Sequence, residues 1–62
     1  MEEFSWVELE CENKAETPEA VLLDFGDKEV WIPKSQMDLW PEKEEGGIAA
    51  IRWWKAYEQD LI

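Results

Sequence analysis

The residues able to do chemistry in this chain are carboxylates and one thiol. Glu8, Glu10 and Glu12 recur at every second position with Cys11 among them, Asp27 follows Asp24-Phe25-Gly26, and Glu42, Glu44 and Glu45 crowd the stretch after Asp38. With no histidine in the sequence, a general base matched to neutral pH would have to be a carboxylate or lysine shifted by burial. The usual zinc ligand sets are missing as well. Cys11 lacks an evident activating base and reads as a small core residue rather than a nucleophile; alone, it closes no intramolecular disulfide. Asp24-Phe25-Gly26 copies a tripeptide that holds magnesium in protein kinases, without the glycine-rich loop, paired lysine and catalytic loop that give it meaning there. No calcium-binding loop with a closing glutamate can be written around Asp24 and Asp27, so these are read as turn-forming acids. The expectation is of no enzyme, no metal and no cofactor, and function is sought on the surface.

Charge bounds that surface. The 62 residues carry 16 acids against six bases, a formal net charge of −10. Such a chain neither displaces counterions from phosphates nor approaches an anionic membrane, so direct binding of nucleic acid or membrane is not expected. A basic protein partner is the natural complement; the bland alternative is that acidity serves solubility alone. Met1 to Ser5 has no basic region leading into an apolar run, and no segment approaches the ~20 apolar residues that span a bilayer, which predicts a cytoplasmic protein.

Those acids must be positioned by one domain, 1–62, near the size where a single core is marginal. Five tryptophans, two phenylalanines and a tyrosine supply the burial. From Phe4 to Glu12 the pattern alternates, with Val7, Leu9 and Cys11 on one side and Trp6, Glu8, Glu10 and Glu12 on the other, the period of a half-buried strand. Same-face carboxylates there stand roughly 6.6 to 6.8 Å apart, too sparse a row to imitate a duplex by itself. Asn13 to Glu19 reads as a loop. Ala20 to Phe25 reads as a central strand, turned by Gly26-Asp27-Lys28 into a hairpin with Glu29 to Ile32. Pro33 ends that strand, Ser35 with Asp38 approximates a capping box for one helical turn through Gln36, Met37 and Leu39, and Lys34 is placed exposed on the corner. Residues 41–47 form a mobile acidic loop. A last strand at Ile48 to Ala50 precedes an amphipathic helix from about Arg52 to Gln59, in which Trp53 and Trp54 diverge by about 100°.

The predicted fold is α+β: a small antiparallel sheet of three to four strands covered by one C-terminal helix, with a partly closed small barrel as the alternative. Its core holds Val7, Leu9, Val21, Leu23, Phe25, Val30, Ile32, Met37, Ile51, Trp54 and Leu61. Trp31 falls on the other sheet face with Glu29, beside Leu22 and Trp6.

Ala20-Val21-Leu22-Leu23, the run Glu29-Val30-Trp31-Ile32-Pro33-Lys34-Ser35-Gln36, and Trp54, Ala56 and Leu61-Ile62 together resemble a loose group of small bacteriophage and prophage proteins. The likeness spans roughly the last two thirds of the chain. Arg52 stands where that group's pattern has a proline and Asp60 where it has a glycine, leaving the helix ends open. The resemblance implies a phage origin, a bacterial host cytoplasm and a shared fold, and carries over no catalytic residue.

Two functions follow as expectations. In the first, an acidic interaction protein binds a basic, nucleic-acid-binding surface of a host or phage protein, in its sharp form as a nucleic-acid-mimicking inhibitor of host defence such as an anti-CRISPR. Its contact residues are Glu8, Glu10, Glu12, Trp31, Asp38, Trp40, Glu42, Glu44 and Glu45. The alternative is an accessory module of phage replication or recombination that docks or forms a homodimer through apolar surface, anchored by Trp6, Trp40 and one of Trp53 or Trp54.

Overall fold

A computed structural model describes residues 5–62, so Phe4, where the alternation begins, lies outside the described residues. Five strands, β1 (Trp6–Glu16), β2 (Ala20–Asp24), β3 (Glu29–Pro33), β4 (Met37–Leu39) and β5 (Gly46–Arg52), lead into one helix, α1 (Trp53–Glu58). Every pairing is antiparallel, and the strands lie in the order β3-β2-β1-β5-β4. The α+β sheet with a C-terminal helix is therefore the fold. The sheet stays open and does not close into a barrel.

The alternation of β1 is realised with Val7, Leu9, Cys11 and Asn13 turned inward and Trp6, Glu8, Glu10, Glu12 and Lys14 exposed on the outer side. Beyond Glu12 the strand runs on to Glu16 where a loop is expected. Asn13 pairs with Leu23 and Ala15 with Leu22, so one residue, Lys14, is bulged out. Asn13 is fully buried and bonded through its side-chain nitrogen and its backbone, while its Oδ1 has no partner among the described residues. Its Nδ2 donates to the Pro41 carbonyl at 2.9 Å and to Glu16 Oε1 at 3.1 Å, and its backbone exchanges bonds with Glu44 and Glu45. The acidic connection between β4 and β5 is thus tied to the central strand along its backbone.

The β2–β3 hairpin turns as its residues dictate. The Phe25 amide donates to the Lys28 carbonyl at 2.9 Å, Gly26 takes a φ of 104°, and Asp24 Oδ1 accepts from the Gly26 amide at 2.8 Å. That last bond gives Asp24 a role in the turn.

After Pro33 comes a 3₁₀ turn, Lys34–Gln36, with Pro33 itself at the N-cap and no side-chain cap bond. Ser35 lies inside this turn rather than capping it, and Met37 leaves it at once to rejoin the sheet opposite Ile51. Lys34 is half-buried, its Nζ 2.6 Å from Glu16 Oε2 and over the Trp40 ring, not free on the corner.

One side of the sheet carries the core. Val21, Leu23, Ile32, Ala49, Ile51 and Ala56 are wholly buried with Met37 and Cys11 close to it, and Val7, Leu9, Phe25, Val30, Trp40 and Leu61 lean against them. Every expected core residue is present except Trp54, which is 41% exposed. The helix faces the core through Ala56, its one buried residue. Two positions earlier on a helix is a turn of about 200°, so Trp54 points outward. Trp53 is equally exposed and stacks on Tyr57 with centroids 5.3 Å apart.

The helix closes by a Schellman motif. Leu61 N–H donates to the Ala56 carbonyl at 2.8 Å and Asp60 N–H to that of Tyr57 at 3.1 Å, with Asp60 in the left-handed region at φ 60°. An aspartate therefore performs the backbone turn usually left to glycine.

Candidate protein-binding face

Directly opposed residues on neighbouring strands share a face, so the register assembles the outer side of the sheet. Glu8, Glu10 and Glu12 run along β1, with Ala50, Ile48 and Gly46 opposite them on β5. On the other flank Glu12 faces Asp24, and Asp24 faces Glu29. Two acidic rows thus meet at Glu12, one along a strand and one across three strands. Adjacent strands lie about 4.8 Å apart, so the crosswise row is denser than the lengthwise one and closer to the ~3.4 Å phosphate spacing along a nucleic-acid strand.

Among the described residues, two bases border these rows on the outer face. Lys14 Nζ sits 3.7 Å from Glu12 Oε1, and the Arg52 guanidinium lies over the Trp6 ring, 4.7 Å from its centroid. Like charges set directly opposite each other destabilise a sheet. In the row Glu12, Asp24, Glu29 that repulsion is opposed by Lys14 beside Glu12 and by the Gly26 amide bonded to Asp24.

Apolar side chains share the face. Trp31, 48% exposed, stands opposite Leu22, one step from the crosswise acids, while Ile48, Leu39 and Trp6 are each at least 40% exposed. Trp6 does not join Trp31. The row through Trp31 and Leu22 meets β1 at Ala15, nine residues from Trp6 and so about 30 Å away.

Of the expected contact residues, Glu8, Glu10, Glu12 and Trp31 share this face. Glu42, Glu44 and Glu45 are exposed on the β4–β5 connection, where the bonds of Glu44 and Glu45 to Asn13 set them beside the Glu12 end. Asp38 is exposed at the β4 irregularity between Met37 and Leu39. Trp40 is on the other side, against the core and under Lys34. The face also holds Asp24 and Glu29, which the sequence does not nominate. The hairpin turn predicts their pairing with each other, but only the β1–β2 register brings them to Glu12.

The remaining titratable groups of note are structural. Burial pushes the Cys11 thiol up to about 11, against a smaller opposing effect from a hydrogen bond with the Ala49 backbone, so little thiolate exists at neutral pH. Hydrogen bonds from Lys34 and then Asn13 hold the Glu16 carboxyl below its ordinary value of 4.5. A depressed carboxylate stabilises the fold above its unfolded value and loses that contribution as pH falls through the folded one. The melting-temperature advantage of the native chain over a Glu16→Gln variant should accordingly be full above pH 4.5 and shrink on further acidification. A difference constant with pH would remove this role. Among the described residues no group of three or more Cys, Asp or Glu is arranged to hold a metal ion, and no helix is long and apolar enough to cross a membrane.

No family model, curated protein or solved structure matches the chain.

Proposed function

We propose that this chain is a small acidic interaction protein whose outer sheet face binds the basic, nucleic-acid-binding surface of another protein of a bacterial host or its phage. The observation that carries this reading is the crosswise row of Glu12, Asp24 and Glu29 joined to Glu8 and Glu10. Solubility needs charge, but not carboxylates set directly against each other. In its sharpest form the protein competes with nucleic acid for that surface, as a mimic that inhibits host defence in the manner of some anti-CRISPR proteins.

The test is capture from a bacterial lysate on the immobilised chain, with elution by rising salt or by duplex DNA and identification of what elutes. Basic nucleic-acid-binding proteins should leave between low and moderate salt, where exposed charges become screened, and DNA should displace them. Retention indifferent to both would end the proposal.

A second reading, an accessory phage module that docks or pairs through apolar surface, has Trp6, Trp31, Leu39 and Ile48 on the same face in its favour. It makes the acids bystanders and the complex indifferent to salt.

A further inference from the structure

We infer that the free edge of β3 is where such a partner is gripped, by antiparallel addition of an extended basic segment as a sixth strand with its lysines or arginines beside Glu29. This rests on the acidic-interaction reading above and adds to it a backbone contact and a direction.

The backbone orientation follows from the hairpin. In an antiparallel pair, opposed residues alternate between those that exchange hydrogen bonds and those that do not. Phe25 and Lys28 are bonded at one end of the pair and Glu19 and Lys34 at the other. Counting between them, Val30 and Ile32 turn their amides and carbonyls to β2, while Glu29, Trp31 and Pro33 turn theirs to the outer edge. Pro33 confirms the count, since its ring can stand in a ladder only where no N–H is needed. β3 lies at the end of the strand order, so Glu29 and Trp31 offer two donors and two acceptors with no β3 neighbour among the described residues.

The other edge is defended. β4 has three residues and its register breaks between Met37 and Leu39, the usual means of spoiling an edge. β3 has five residues in unbroken register.

Charge selects the occupant. A residue opposite Glu29 also faces the row Asp24, Glu12 behind it, which favours a cation. A second copy of this chain fits poorly in the symmetric registers centred on Trp31 or Val30. Centred on Trp31, the pairing would set Pro33 opposite Glu29, losing a bond on each side, and Lys28 opposite Lys34. Centred on Val30, it would bring the two Glu29 carboxylates diagonally within about 8 Å, inside the screening length of physiological salt.

The probe is a short capped peptide alternating lysine and valine, offered to the full chain and followed by calorimetry. In an antiparallel pair the lysines, lying on the Glu29 and Trp31 face, also turn their amides to β3. N-methylation at the lysines should weaken binding by about tenfold or more, and N-methylation at the valines should leave it within about twofold. Equal effects of the two methylations overturn the inference; if that binding is still lost in salt, the acidic-face reading survives it. Failure of the unmodified peptide to bind at low salt overturns both. Sedimentation of the free chain should find a monomer, and a dimer dispersed by the peptide would assign the edge to a second copy and overturn the proposed occupant.

Discussion

Truncation of Ile51 to alanine is expected to bring the protein close to its unfolding midpoint at room temperature. Ile51 is wholly buried near the C-terminal end of β5, opposite Val7 on one side and Met37 on the other. Removing a buried isoleucine to alanine costs about 2–5 kcal/mol. A chain of 62 residues has about 3–9 kcal/mol in total. The melting temperature should fall by about 8 °C or more, and a denaturant titration should lose most of its folded baseline. A shift of less than about 2 °C would mean that Ile51 does not hold β1 and β4 together, and the strand order would have to be reconsidered.

Reversal of Glu8, Glu10 and Glu12 to lysine is expected to do the opposite, sparing the fold and abolishing binding. All three side chains are exposed, and of the three only Glu8 stands opposite a buried residue, Ala50. Each exposed ion pair contributes about 0.2–1 kcal/mol, and reversal replaces an attraction by a repulsion, so three reversals weaken binding to a basic probe by about 1–6 kcal/mol. Titration of long-chain polylysine, able to lie across β1, into both proteins at low salt reads the effect, and circular dichroism checks the fold. Unchanged affinity would assign the contact to the apolar side chains instead.

Much of this architecture is legible along the chain because it is local. The parity of β1 follows from Val7, Leu9 and Cys11 alternating with Glu8, Glu10 and Glu12, and the hairpin from Gly26-Asp27 between two apolar runs. What escapes reading depends on partners distant in sequence. Asn13 looks like loop until the Pro41 carbonyl and Glu16 receive its amide. Lys34 looks exposed until Glu16 arrives from β1.

The helix misleads for another reason. Periodicity nominates the largest apolar side chains, Trp53 and Trp54, yet a six-residue helix lying close on a sheet has room at its centre for Ala56. The candidate site divides in the same way. Its lengthwise row is visible in one strand, whereas the crosswise row needs Asp24 and Glu29 to be brought to Glu12 by two registers.

The central place of β1 has a consequence for how the protein is made. Val7 finds Ile51 and Glu12 finds Gly46 only after every residue between them has been synthesised, so β1 emerges well before one of its two neighbours exists. Non-local pairing of this kind is slow to form, and in the interval one side of the strand is an unpaired edge prone to joining other chains. Glu8, Glu10 and Glu12 stand along that edge, alternating with the residues that would drive aggregation. Their placement is that of gatekeepers on the nascent chain.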